Sequence, residues 1–106
     1  MALTKDFKDT IMERAKRDAA FRRGLLTESI ESFLDGDTAT GKIILRDYIN
    51  ATIGFQELAK LTKKKDTSLM RMLAPSGNPS SDNLFDIISH LKAHEGVDFK
   101  VKSKAA

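Results

Sequence analysis

The chain has 106 residues, enough for one domain with a modest core. Hydrophobic residues make up 41% and charged residues 31%, the balance of a soluble globular domain and not of a disordered tail. The absence of cysteine excludes disulfides and thiolate zinc sites, and a net charge of +3 is too small to name a polyanionic partner unless the charge is concentrated.

Residues 1–6 lack the basic start and apolar stretch of a secretory signal, and no apolar run approaches the roughly 20 residues that cross a bilayer, so a cytoplasmic location is the expectation. Residues 6–17 carry Phe7, Ile11, Met12 and Ala15 at helical spacing, which predicts an amphipathic helix with a charged outer face. A second helix is expected over 18–34, with Phe21, Leu25, Ile30, Phe33 and Leu34 on its apolar side. Asp35-Gly36-Asp37 breaks the pattern. It is no calcium loop: counted from Asp35, the glycine required at the sixth place is Thr40 and the acid required at the twelfth is Arg46.

A third helix should start at Thr38 as N-cap, run through Ile44, Leu45, Tyr48, Ile49 and Thr52, and end at Gly54. A short fourth helix over 55–62 offers Phe55, Leu58 and Ala59 to the core. Lys63-Lys64-Lys65 forms a basic turn, and Asp66 is the expected N-cap of a fifth helix over 67–74 with Leu69, Met72 and Leu73 inward. Two prolines and a glycine make residues 75–80 a loop. Ser81 or Asp82 should cap a sixth helix with Leu84, Phe85, Ile87, Ile88 and Leu91 as its apolar face, stopped by Gly96. Val97-Asp98-Phe99-Lys100-Val101 alternates apolar and polar, which predicts a short strand in need of a partner, such as the same segment of a second subunit. The fold class expected is therefore all-α, with five to six helices and a short C-terminal strand.

Two short helices joined by a tight turn, then a loop and a longer helix, match a helix-turn-helix. Leu58 anchors the first helix, and small Ala59 lets the two cross closely. The turn position four residues after Ala59 normally holds glycine, because its φ is positive; here it is Lys63. Lys64 follows where an apolar, half-buried residue is usual, and a lysine there can lay its stem on the core while its ammonium stays in water. Between positions 60 and 71 stand Lys60, Lys63, Lys64, Lys65 and Arg71 against a single acid, Asp66. A concentrated basic stretch of this kind gives salt-dependent affinity for phosphates, although a lysine run on its own is more often a solvated turn. On the DNA reading, Thr67, Ser68 and Arg71 read bases and Met70 can touch a thymine methyl.

The stretch 50–59 (Asn-Ala-Thr-Ile-Gly-Phe-Gln-Glu-Leu-Ala), then Ser68-Leu69, Arg71-Met72-Leu73, Pro75-Ser76-Gly77-Asn78-Pro79 and Asn83-Leu84-Phe85, resembles the addiction-module antidote (HigA-like) transcriptional regulators. The resemblance spans residues 38–95, more loosely 18–37. It implies a lambda-repressor-like helix-turn-helix core, placed here at 38–96; the pattern along the chain adds an N-terminal helical extension (1–37) and a strand and tail (97–106), all expected within one domain. It implies that residues 66–74 are the recognition helix, and that Ser76, Gly77 and Asn78 form a loop able to approach the DNA backbone; the charge concentration separately assigns Lys63, Lys64 and Lys65 to phosphates. It also implies a homodimer, and in many members a small toxin that the regulator neutralises. The family usually has glycine and an apolar residue at the positions of Lys63 and Lys64, so this chain departs from its pattern at the turn.

Other chemistry is set aside. His90 and His94 lie one helical turn apart, but no third metal ligand is near them in sequence. The exposed acids Asp6, Asp9, Glu13 and Asp18 form no paired-acid cleft or triad, and no phosphate-cradling glycine motif is present, so neither an enzyme nor a cofactor is expected. The alternative to a DNA-binding regulator is a protein-interaction module that neutralises a toxin through residues 6–34, where Arg14, Arg17, Arg22 and Arg23 stand.

Overall fold

The computed structural model describes residues 5–106, so the reading of residues 1–4 as lacking a signal lies outside the described residues. Six α-helices follow one another: α1 (Lys5–Arg17), α2 (Ala19–Leu34), α3 (Thr38–Ala51), α4 (Phe55–Thr62), α5 (Asp66–Met72) and α6 (Ser81–Glu95). None of them is long and apolar enough to cross a membrane.

Side chains that precede three of the helices fix where they start. Asp18 caps α2 by accepting the Phe21 N–H at 3.1 Å. Asp37, not Thr38, caps α3 through the Thr40 N–H at 3.1 Å, and Ser80, not Ser81 or Asp82, caps α6 through the Asn83 N–H at 3.2 Å. In each case the oxygen reaches the N–H three residues on, which the helix leaves without a partner. The Phe21 N–H holds the Asp18 carboxyl below the usual aspartate range, and the Thr40 hydroxyl, followed by the Thr40 N–H, does the same for Asp37. At α5 the cap position is Lys65, whose side chain makes no capping bond. Asp66 is the first helical residue, and its Oδ1 accepts the next N–H, that of Thr67, at 2.7 Å.

Three helices close alike. After α2, α4 and α6 one residue turns left-handed, and the next N–H reaches back five residues: Asp37 to the Ser32 carbonyl (2.9 Å), Lys64 to Ala59 (3.1 Å), Val97 to Lys92 (3.1 Å). This closure satisfies carbonyls that the last turn leaves open. Glycine supplies the left-handed residue at Gly36 (φ 81°) and Gly96 (φ 74°), but after α4 it is Lys63 (φ 57°).

A single cluster of buried side chains runs through α2 to α6: Leu26, Leu45, Tyr48, Ile49, Phe55, Leu58, Leu69, Leu73, Ile87 and Leu91. α2 lies along α3 over the most extensive helix–helix contact, α4 packs on both α5 and α6, and α1 rests on α2 and α3 through the buried Ala15. Three residues expected on apolar helix faces are largely exposed. Phe7, Leu34 and Phe85 sit on the edges of their helical stripes and are 53%, 68% and 65% exposed. No strand forms among the described residues. Val97 and Phe99 instead lean on the core, and Lys92 Nζ donates to Asp98 Oδ1 at 2.6 Å. A strand requires a neighbouring strand for its backbone groups, and the monomer offers none.

Behind α2 and α3 lies a polar knot. Arg22 Nε donates to Glu95 at 3.1 and 3.3 Å, Tyr48 donates its hydroxyl proton to Glu95 Oε1 at 2.7 Å, and Arg22 Nη1 donates to the Ala15 carbonyl at 2.8 Å. One carboxylate thus ties α2, α3 and α6 together, and Arg22 adds α1. Burial works to raise the Glu95 pKa, but the bonds from Tyr48 and Arg22 outweigh it and hold the carboxyl below the usual range. The Tyr48 hydroxyl is pushed up, first by burial and then by the adjoining carboxylate.

Candidate nucleic-acid interface

Helices α4 and α5 are joined by three residues, all lysines, and the left-handed Lys63 makes so short a turn possible. Its strain, about 1–2 kcal/mol for a residue with a Cβ, is carried by the packing of Leu58 and Leu69 on either side, both fully buried. Lys64 is half-buried, and its ammonium forms an ion pair within the fold. Nζ lies 3.0 Å from Asp86 Oδ2 on α6, and the side chain is 26% exposed. Lys63 and Lys65 are exposed on either side of it. Lys60 lies 3.8 Å from Glu57 in a solvent-exposed pair, which adds little to stability.

On α5, Leu69 faces the core while Thr67, Met70 and Arg71 face outward and Ser68 is half-buried. The helix ends at Met72, earlier than position 74, because Leu73 closes the last turn and its carbonyl turns to a new donor: Arg46 Nη1 on α3, at 3.1 Å. One turn earlier on α3, Lys42 is 7% exposed, and its Nζ donates to the carbonyls of Pro75 (3.1 Å) and Gly77 (2.7 Å). Burying an ammonium is costly unless acceptors replace its water, and these two carbonyls do so. The cations also face the carbonyl end of α5, where the helix dipole favours positive charge.

The loop after α5 is folded tightly against that helix. The Gly77 N–H donates to the Ala74 carbonyl at 2.8 Å, and a Cβ on Gly77 would stand 2.2 Å from the Arg71 carbonyl oxygen and 2.4 Å from that of Met72. Only a residue without a side chain fits. The result is an open groove bordered by Ser68, Arg71 and Met72 on α5 and by Ser76, Gly77 and Asn78 on the loop. Ser76 and Asn78 are exposed.

The structure brings Ser68, Arg71, Ser76 and Asn78 to one groove, and leaves Thr67 and Met70 exposed on α5 and Lys63 and Lys65 exposed on the turn before it. Lys64 is ion-paired with Asp86, whereas Lys63 and Lys65 carry no ion pair among the described residues. Lys42, Arg46, Asp86 and the close approach of Gly77 were not found by sequence reasoning. Lys42 had a signal: it shares the stripe Lys42, Leu45, Ile49 on α3, and a lysine on an apolar stripe requires a buried acceptor.

Elsewhere, two of the four arginines of the N-terminal helices are engaged within the fold. Arg22 is bound to Glu95, and Arg14 lies 4.7 Å from the Phe21 ring centre and 3.5 Å from Asp18. His90 Nδ1 lies 2.8 Å from the Asp86 carbonyl oxygen, and no cluster of three or more metal-ligating side chains occurs among the described residues. No family model, curated protein or solved structure matches this chain.

Proposed function

We propose that the protein is a DNA-binding transcriptional regulator that places α5 in the major groove and acts as a homodimer. The observation that carries this reading is the shared outward face of α5 and the loop. Arg71 is exposed and borders one groove with Ser68, Ser76 and Asn78, Thr67 and Met70 are exposed on the same helix, and the exposed Lys63 and Lys65 stand on the turn that precedes it. A short helix whose polar side is presented by the packing behind it, with cations and loop backbone at its edges, suits base contact by the helix and phosphate contact by its surroundings. Arg71 has the reach and fork geometry for guanine, and Ser68 lies at the groove wall, closer to the loop than to the outermost edge. The likeness to antidote regulators adds autoregulation of an operon encoding a toxin.

The test is fluorescence-anisotropy binding to genomic fragments over a range of salt. Affinity should fall steeply with salt. Arg71→Ala should lose about 1–3 kcal/mol of discrimination between the best site and its single-base variants, with non-specific binding nearly unchanged. Salt-independent binding, or unaltered discrimination in Arg71→Ala, contradicts the reading.

A second reading, neutralisation of a toxin with little independent DNA role, is favoured by the outward exposure of Arg17 and Arg23 on α1 and α2. Co-purification of a partner that Arg17→Glu and Arg23→Glu release, with no DNA affinity in the free chain, would favour it over the first.

A further inference from the structure

Residues 97–101 read Val-Asp-Phe-Lys-Val. They lie outside any helix, and the backbone N–H groups of Lys100, Val101 and Lys102 have no partner among the described residues. Val97 and Phe99 turn toward the core, while Asp98 and Lys100 are exposed. Val101 belongs by alternation to the inward side but is 88% exposed, and Leu34 at the end of α2 is 68% exposed. Both line one groove with Ile30 and Phe99. A non-helical segment with unpaired backbone N–H groups therefore runs beside an uncovered apolar strip.

The segment itself identifies the occupant. Its order, apolar–acid–apolar–base–apolar, is its own complement when reversed. We propose that two copies of this chain pair antiparallel through residues 97–101, centred on Phe99, and that the resulting two-stranded ribbon covers Leu34 and Val101.

In that register Asp98 lies opposite the partner's Lys100, and Lys100 opposite the partner's Asp98. Val97 meets the partner's Val101, and the two Phe99 rings face each other. Centring on Asp98 or on Lys100 instead sets like charges opposite one another, which is destabilising. Shifting by half a step sets apolar residues opposite charged ones and turns one strand's apolar side outward. Only the Phe99 register satisfies both conditions. Asp98 Oδ1 is held by Lys92 and the Phe99 N–H, which leaves Oδ2 for the partner's lysine.

This inference deepens the proposed dimeric regulator by naming the surface on which its two copies meet, and it rests on that reading only for its biological use. The assay contains no DNA, so the loss of one idea is distinguishable from the loss of the other.

Sedimentation velocity of the full chain, from micromolar to millimolar concentration, should show a monomer–dimer equilibrium. Lys100→Asp sets acid against acid, and Asp98→Lys sets base against base. Each should raise the dimer Kd about tenfold or more. Both residues are exposed, and unchanged helical circular dichroism checks that the variants fold. An equimolar mixture of the two variants restores opposite charges at every pair and should form a heterodimer. A wild-type monomer at every concentration, a dimer that persists in both variants, or a mixture that stays monomeric overturns the proposal.

Discussion

The two faces of α3 use cations in opposite ways. On the side toward α2 and α6, Arg22 and Tyr48 converge on Glu95, whose side chain is only 5% exposed, and every strong polar group there is consumed within the fold. On the side toward α5, Lys42 and Arg46 also bind inward, but to main-chain carbonyls of a helix end and a loop, and the effect is to hold other groups outward. The first arrangement closes the molecule and the second exhibits a surface. Removing a cation should therefore cost stability on the first side, and stability together with binding on the second.

Arg22→Met gives the largest expected effect. It leaves the Glu95 carboxylate with Tyr48 as its only side-chain donor in a nearly water-free position, and should cost about 2–3 kcal/mol in urea unfolding, with DNA affinity per folded molecule unchanged. The same pair sets the acid limb of stability. Because the folded Glu95 pKa lies below its ordinary value, its contribution is present above about pH 4.3 and disappears as acid protonates the folded carboxyl. The variant should lose less stability than wild type between neutral pH and that acid range.

Lys42→Met comes next. It removes a buried donor from two carbonyls and should cost about 1–2 kcal/mol. It should also speed amide exchange at Gly77 and weaken DNA binding at every sequence alike, because the loop is no longer seated. If binding survives intact while Gly77 exchange accelerates, the loop plays no part in DNA contact and the contrast between the two faces fails.

Lys63→Gly should move stability the other way. Glycine meets a positive φ without steric cost, as at Gly36 and Gly96, so the midpoint in urea should rise by the equivalent of about 1 kcal/mol. The smallest effect is expected from Lys65→Ala: no measurable change in stability, and a slope of log affinity against log salt shallower by about one. Lys64→Ala provides a sharper comparison. Its ammonium is already paired with Asp86, so the salt slope should change less than for Lys65→Ala while stability falls more.

Much of this was legible in the chain itself. The spacing of Leu58, Leu69, Leu73, Ile87 and Leu91 announced helices and a buried side, and all five are fully buried. The lysine at the usual glycine position left the geometry of the turn open in the sequence, and the structure keeps the left-handed residue there at Lys63. The misplaced residues share a cause. Leu34 and Phe85 satisfy the helical period, but they sit at the margin of the apolar stripe, where only the neighbouring helix decides whether anything covers them. The strand at 97–101 has the right alternation and lacks a partner within the chain, so its backbone forms no ladder.

By itself the sequence determined the six helices, the basic turn and the side of α5 that is polar, because these follow from local spacing, caps and the conformational limits of single residues. Tertiary structure alone decided that Lys42 and Arg46 hold the far end of α5, that Gly77 lies against its last carbonyls, and that Lys64 is paired while Lys63 and Lys65 are not. The partners of Lys42, Arg46 and Lys64 lie 22 to 35 residues away along the chain, and no local pattern encodes which distant carbonyl or carboxylate a long cationic side chain will meet once the helices have packed.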